Sequence, residues 1–315
     1  MNHVVLSALL PVMALILIGL GVGRMGWLGP EVVRRLSTLA FMVLTPVLLF
    51  RAMSRVHVEQ LDLQPALVYA LALALVFGAV LRQHGLSRRA AVFALAATYG
   101  NAVMIGIPLI ALAWGEAGLV TLFTLIPIHS LLLLTTATVV LEFAAAREHA
   151  ASSPDVAARL WVVGLRSLRK ALIHPVPLPI IAGLLFAQTG LVIPPWLDAP
   201  MLWLGKGFGP LALFLVGVSL ASSYVGRNLR GALWMTGVKN LLVPVLAGGL
   251  GWLFGMTGLP LAVMIVAAAL PVGANAFMFS QRYAVAQETI TASVAVSTAV
   301  SVMTVSLVML LVAPL

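Results

Sequence analysis

Long apolar runs separated by short polar or basic stretches make up almost the whole chain. A bilayer-crossing helix needs about 20 mostly apolar residues. Ten stretches meet that requirement: 4–23, 34–53, 64–82, 90–114, 118–141, 172–191, 201–222, 231–254, 259–281 and 289–313. The pattern therefore predicts an all-α integral membrane protein of ten transmembrane helices. The sixth and seventh stretches are rich in Pro and Gly, so nine spans is the alternative reading. The first run, from Val4 to Val22, lacks a basic leader and an A-x-A-type cleavage site and reads as a retained span.

Two of the ten stretches are interrupted where interruption is most costly. The fourth carries YGNAVMIGIPLI (Tyr99 to Ile110) and the ninth carries ALPVGANAFMFS (Ala269 to Ser280). Proline removes an N–H and collides with the preceding turn. Irregular backbone at membrane depth is tolerated only inside protein or beside a water-filled cavity. Paired mid-span breaks are a sequence pointer to a transporter binding site. Gly100–Asn101 and Pro271–Val272–Gly273 are accordingly predicted to be non-helical and to meet near the membrane midplane.

The net charge of +9 changes the picture through its placement. The chain is 62% hydrophobic and only 9% charged, with mean hydropathy +1.12. This composition excludes a soluble domain and makes nucleic acid a poor explanation of the charge. With the N-terminus outside, loops after odd-numbered spans hold fourteen Lys and Arg, and the other loops hold only Arg51 and Arg55. That asymmetry predicts both termini outside. The one long loop, 143–171, includes AARLWVVGLRSLRKAL and reads as a cytoplasmic amphipathic linker. It divides the chain into five spans (1–142) and five spans (172–315). Five is odd, so the halves insert in opposite senses, the signature of an inverted repeat. TPVLLF in span two and GPLALF in span seven give the repeat weak support.

Candidate chemistry is sparse. Asn101 offers two amide donors. Asn275, four residues after Pro271, either faces the same cavity or caps the resumed helix. His129 lies mid-span and is either a ligand or a packed neutral histidine. Lys239 lies about eight residues, roughly 12 Å, into span eight. It snorkels to the cytoplasmic face, attracts anions, or stands in for a coupling cation. Lys206 is expected near the outer interface. The acids Glu31, Glu59, Asp62, Glu116, Glu142, Glu148, Asp155, Asp198 and Glu288 all fall in loops or at span ends. No mid-membrane carboxylate is placed to carry Na⁺ or H⁺. The chain has no cysteine, no H-E-x-x-H, no G-x-S-x-G and no P-loop. Enzymatic and ATP-driven functions are therefore disfavoured, and no metal or cofactor is expected.

These blocks together resemble the auxin efflux carrier family, whose members include bacterial permeases for malonate and other organic acids and the plant PIN-type auxin exporters. The resemblance covers essentially the whole chain. It is strongest in GNAVMIGIPL and AAALPVGANAFMFSQRYAV, with TPVLLF, PLALFLVGVSLA and KNLLVP in matching order. It implies a fold similar to bile-acid and sodium/proton transporters: two inverted five-helix repeats with spans four and nine crossing. It implies a scaffold of spans 1, 2, 6 and 7 that commonly dimerises, and a moving transport domain of spans 3–5 and 8–10. A small carboxylate would bind beside the crossover in a bacterial inner membrane. Asn101 matches the family's substrate-contacting asparagine and Pro271 the span-nine proline. Gly100 stands where plant members have proline, His129 where they have a substrate-binding glutamine, and Leu49 where they have serine. The candidate binding set is Gly100, Asn101, His129, Pro271, Val272, Gly273, Asn275 and Lys239. The alternatives are a sodium- or proton-coupled organic anion symporter, or a channel or sensor of the same fold.

Overall fold

The computed structural model describes residues 2–56, 59, 61–149, 176–221 and 228–313. Those residues are predominantly helical, with no β-strand among them. In chain order the helices are α1 (Asn2–Arg24), α2 (Pro30–Leu39), α3 (Thr45–Met53), α4 (Gln64–His84), α5 (Arg88–Thr98) and α6 (Ile107–His149). The remainder are α7 (Pro177–Gln188), α8 (Pro195–Ala221), α9 (Leu229–Gly237), α10 (Val243–Leu253), α11 (Gly258–Ala269), α12 (Ala274–Arg282) and α13 (Gln287–Val312). Six helical stretches among the described residues are long and apolar enough to cross a membrane. Length, composition and burial make this a multi-pass α-helical membrane protein. The amphipathic segment expected over 143–171 lies, from residue 150 on, outside the described residues; residues 143–149 continue α6.

Prolines shape three of the spans. A π-turn precedes each of Pro46, Pro108 and Pro244: Ala40–Leu44, Ala102–Gly106 and Val238–Leu242. A proline ring collides with the carbonyl four residues earlier and offers it no N–H. In each case that carbonyl, of Met42, Met104 or Asn240, lies within the π-turn. The wider turn relieves the collision and lets the helix continue. Thr45 assists by donating its hydroxyl to the Ala40 carbonyl at 2.9 Å.

The fourth and fifth apolar stretches are less separate than the sequence suggests. Helix α6 runs through both, and its one non-helical residue is Gly115, at φ 60° and ψ −146°. Positive φ costs glycine little, so a single residue there makes the turn.

Two further contacts order the bundle. Helix α1 packs on α8 with almost no space between backbones. A Cβ on Gly19 would lie 2.1 Å from the Phe214 carbonyl oxygen, and one on Gly217 would lie 2.1 Å from that of Ile16. Gly23 meets Ala221 one turn further on. Small residues at i and i+4 on both helices are what close approach in a membrane requires. At the opposite end of the bundle, Arg51 is buried and paired with Asp198 at 2.8 Å. Arg55 reaches the same carboxylate at 2.8 Å, and Glu116 lies 3.6 Å from Arg51. The two arginines read as outliers of the charge pattern thus tie α3 to the first turn of α8.

The core centres on α5 and α11. Every residue from Ala90 to Thr98 is buried, as are eight of the twelve in α11. At 1.5 Å per residue these helices are about 16–18 Å long, half of a bilayer's thickness. Both end inside the protein.

Candidate functional site

The ends of α5 and α11 meet each other. After Thr98 the chain extends through Tyr99, Gly100 and Asn101; after Ala269 it extends through Leu270 to Gly273. Gly100 and Val272 form an antiparallel bridge. Asn101 N–H donates to the Pro271 carbonyl at 2.8 Å, and Gly273 N–H donates to that of Tyr99 at 2.8 Å. Each break therefore satisfies backbone groups of the other, which answers the cost of interrupting a buried helix. Val272 N–H is taken up by Ser297 Oγ at 3.1 Å. Pro271, having no N–H, leaves nothing further to satisfy at its own position.

Glycine is required at Gly273, whereas Gly100 has room for a methyl group at ordinary contact distance. A Cβ on Gly273 would come within 2.8 Å of the Tyr99 ring and 3.0 Å of the Gly100 oxygen. At Gly100 the nearest atom to an added Cβ would be Lys239 Nζ, at 3.4 Å.

Beside this junction lies a cavity of about 490 Å³. It extends from the junction toward the middle and C-terminal part of α2, where Arg34, Ser37 and Thr38 line it. Its inner wall carries Gly100, Asn101, Gly273, Asn275, His129 and Ser130. Among the described residues no carboxylate lines it, and the one cationic side chain, Arg34, is exposed and bound to Glu31 at 2.7 Å.

The candidate residues divide into two groups. Asn101, Asn275 and His129 all line the cavity. Asn101 Oδ1 accepts from Met104 N–H at 3.3 Å, capping the turn that follows. That bond fixes the side chain and leaves its Nδ2 without a partner among the described residues. Asn275 does not cap α12, whose N-cap residue, Gly273, makes no side-chain bond; it approaches the Tyr99 hydroxyl instead. His129 is buried, and neither ring nitrogen completes a hydrogen bond. The carbonyls of Ile126 and Leu125, on its own helix, are its nearest backbone acceptors.

Lys239 belongs to the second group. It is fully buried and does not snorkel. The π-turn before Pro244 directs it behind the junction, where Nζ donates to the Ala268 carbonyl at 2.6 Å. The Tyr69 hydroxyl lies 3.5 Å from the neighbouring Ala267 carbonyl. Both groups sit on the C-terminal, partially negative end of α11, where a cation is favoured. Lys239 therefore sits at the junction but not in the cavity.

Two participants escape a sequence reading. Tyr99 and Ser130 line the cavity and share a 3.1 Å hydroxyl contact. Tyr99 was visible as the residue before the break; nothing marked Ser130 except its place beside His129.

A family model described as membrane transport protein matches residues 4–309. A Rhizobium meliloti (strain 1021) protein described as a "putative malonate transporter" is 28% identical over 307 residues, covering 94% of this chain and 92% of its own.

Proposed function

The chain belongs to the membrane transport protein family, here of the auxin efflux carrier type, and from that premise we propose that it is a secondary carrier for a small organic anion. One observation carries this reading. Two broken helices bond to each other at the floor of a cavity that holds amide, hydroxyl and imidazole groups and, among the described residues, no carboxylate. Such a set suits an anion: an unpaired charge at that depth needs donors. The helix resumed at Ala274 adds unpaired N–H groups and the positive end of its dipole. Asn101 Nδ2, the Asn275 amide, Ser130 and His129 are the side chains assigned to the carboxylate. Gly100, Pro271, Val272 and Gly273 shape the backbone that presents them.

The mechanism consistent with this architecture is an elevator. Spans four and nine cross within a transport domain that slides against a scaffold including α1 and α8, as expected for two inverted five-helix repeats. The cavity, lined by Arg34 at one end, is then the inward-facing state. Lys239 Nζ occupies the C-terminal end of α11 at the junction, which supports transport without a bound metal cation. The unpartnered imidazole of His129 supports a second reading, proton-coupled symport, since histidine is the side chain that titrates most readily near neutral pH.

The deciding experiment is uptake of radiolabelled malonate, malate and an aromatic monocarboxylate into proteoliposomes, at two pH values and with or without Na⁺. Saturable uptake with counterflow, independent of Na⁺, is expected; non-saturable flux would indicate a channel. Orientation is tested separately, because the chain has no native cysteine. A cysteine at Ser152 is expected to resist an impermeant maleimide applied to intact cells. Labelling from outside would reverse the topology.

A further inference from the structure

We propose that Tyr99 is a positioning residue for His129, and that through it the junction of the broken helices sets the orientation of the imidazole. The inference rests on the reading above that His129 meets the substrate. Its basis is that Tyr99 is held from three directions at once.

Its backbone belongs to the junction: Tyr99 N–H donates to Leu95 at 2.7 Å and its carbonyl accepts from Gly273 at 2.8 Å. Its ring lies against the imidazole, with centroids 4.7 Å apart and planes tilted by 42°. Its hydroxyl is within 3.1 Å of Ser130 Oγ, on the residue next to His129. The ring edge also lies against Gly273, where a Cβ would come within 2.8 Å of it. The imidazole also meets Tyr69, at 6.0 Å between centroids.

His129 itself has no hydrogen bond to hold either ring nitrogen. A histidine ligand is ordinarily oriented by a hydrogen bond from its second nitrogen. Here two aromatic rings take that part, and neither nitrogen is committed to a hydrogen bond. An aromatic pair at this separation contributes through ring geometry as well as burial. The phenol anchor on Ser130 fixes the ring that does the holding. Any shift of the junction at Asn101, two residues on, is conveyed to the imidazole by the same tyrosine.

Two measurements test this. The first needs no substrate. Ring-¹⁵N-histidine protein in detergent gives His129 signals, identified by their loss in His129→Gln. Wild type is expected to show one sharp set of ring-nitrogen signals. Tyr99→Leu is expected to give averaged, broadened signals. Tyr99→Phe and Ser130→Ala, which release the anchor but keep both rings, are expected to give the same smaller change. Unchanged signals in Tyr99→Leu would overturn the proposal; if that variant does not fold, unchanged signals in both anchor variants would do so.

The second is a double-mutant cycle on [¹⁴C]malonate uptake. Tyr99→Leu is expected to raise KM about tenfold in the wild-type background, and less than about twofold with His129→Gln already present, since contacting residues are non-additive. Equal effects in both backgrounds would show that Tyr99 does not act through His129. Absence of malonate uptake by wild type would count against malonate as the substrate and leave the spectroscopic result to decide the role of Tyr99.

Discussion

Asn101→Ala is expected to weaken substrate binding by about tenfold to a hundredfold, because a hydrogen bond to a charged group contributes roughly 1.5–3 kcal/mol. The same change removes the cap on Met104 N–H, which costs about 0.5–2 kcal/mol of local stability. Asn101→Ser separates the two effects. Serine caps a helix well but lacks the amide N–H groups, so it should lose affinity while keeping the thermal midpoint. His129 completes the set. His129→Gln should retain binding and lose any pH dependence between about 5 and 8, since glutamine does not titrate there. His129→Leu should abolish binding by removing the donor. Uptake in proteoliposomes at equal protein checks all four variants. If Asn101→Ser and His129→Leu both transport like wild type, the carboxylate binds elsewhere.

Gly217→Ala is expected to be the most damaging single methyl group in the protein. The added carbon would fall 2.1 Å from the Ile16 oxygen and 2.8 Å from the Leu20 nitrogen. Both are backbone atoms, so α1 and α8 must part along their contact. Overpacking of a tight interface typically costs about 1–3 kcal/mol, and more when nothing flexible can yield. Gly19→Ala meets the Phe214 oxygen at the same distance and should behave alike. Gly21→Ala is the control: it lies on the same helix with nothing within 4 Å. Thermal midpoints in detergent should fall sharply for the first two and stay unchanged for the third. A Gly217→Ala protein as stable as wild type would mean that the helices are not in contact as described.

What could be read in advance follows from how each signal is encoded. The multi-pass membrane character was legible because hydropathy is summed over about twenty residues and survives local exceptions. The breaks at Gly100 and Pro271 were legible because proline and glycine alter the backbone directly. Lys239 was not. Its distance along the helix suggested an escape to the surface, whereas its rotation about the helix places it against Ala268. That rotation depends on a π-turn, and the proline responsible lies five residues downstream. The α1–α8 contact was half legible: Gly19 and Gly23 carry the small-xxx-small spacing, but a spacing does not say which helix it meets. Arg51 misled in the opposite way. Counted as an exposed loop charge, it is buried, because Asp198, far along the chain, supplies its counter-charge.

The π-turns before Pro46, Pro108 and Pro244 also bear on how this chain is compared with others. A π-turn accommodates one residue more than an α-helix needs for the same turn. One residue is about 100° of rotation at 3.6 per turn. Each of these spans therefore consists of two helical frames, out of phase across the turn. A relative lacking one of these prolines has no reason to keep the extra residue. The gap in an alignment of the two then belongs inside the span, just ahead of the proline position, rather than in the loop where gaps in membrane proteins are usually placed. Aligned with the gap in the loop, Lys239 and Asn240 would each be paired with a neighbour's residue that points about a quarter-turn away.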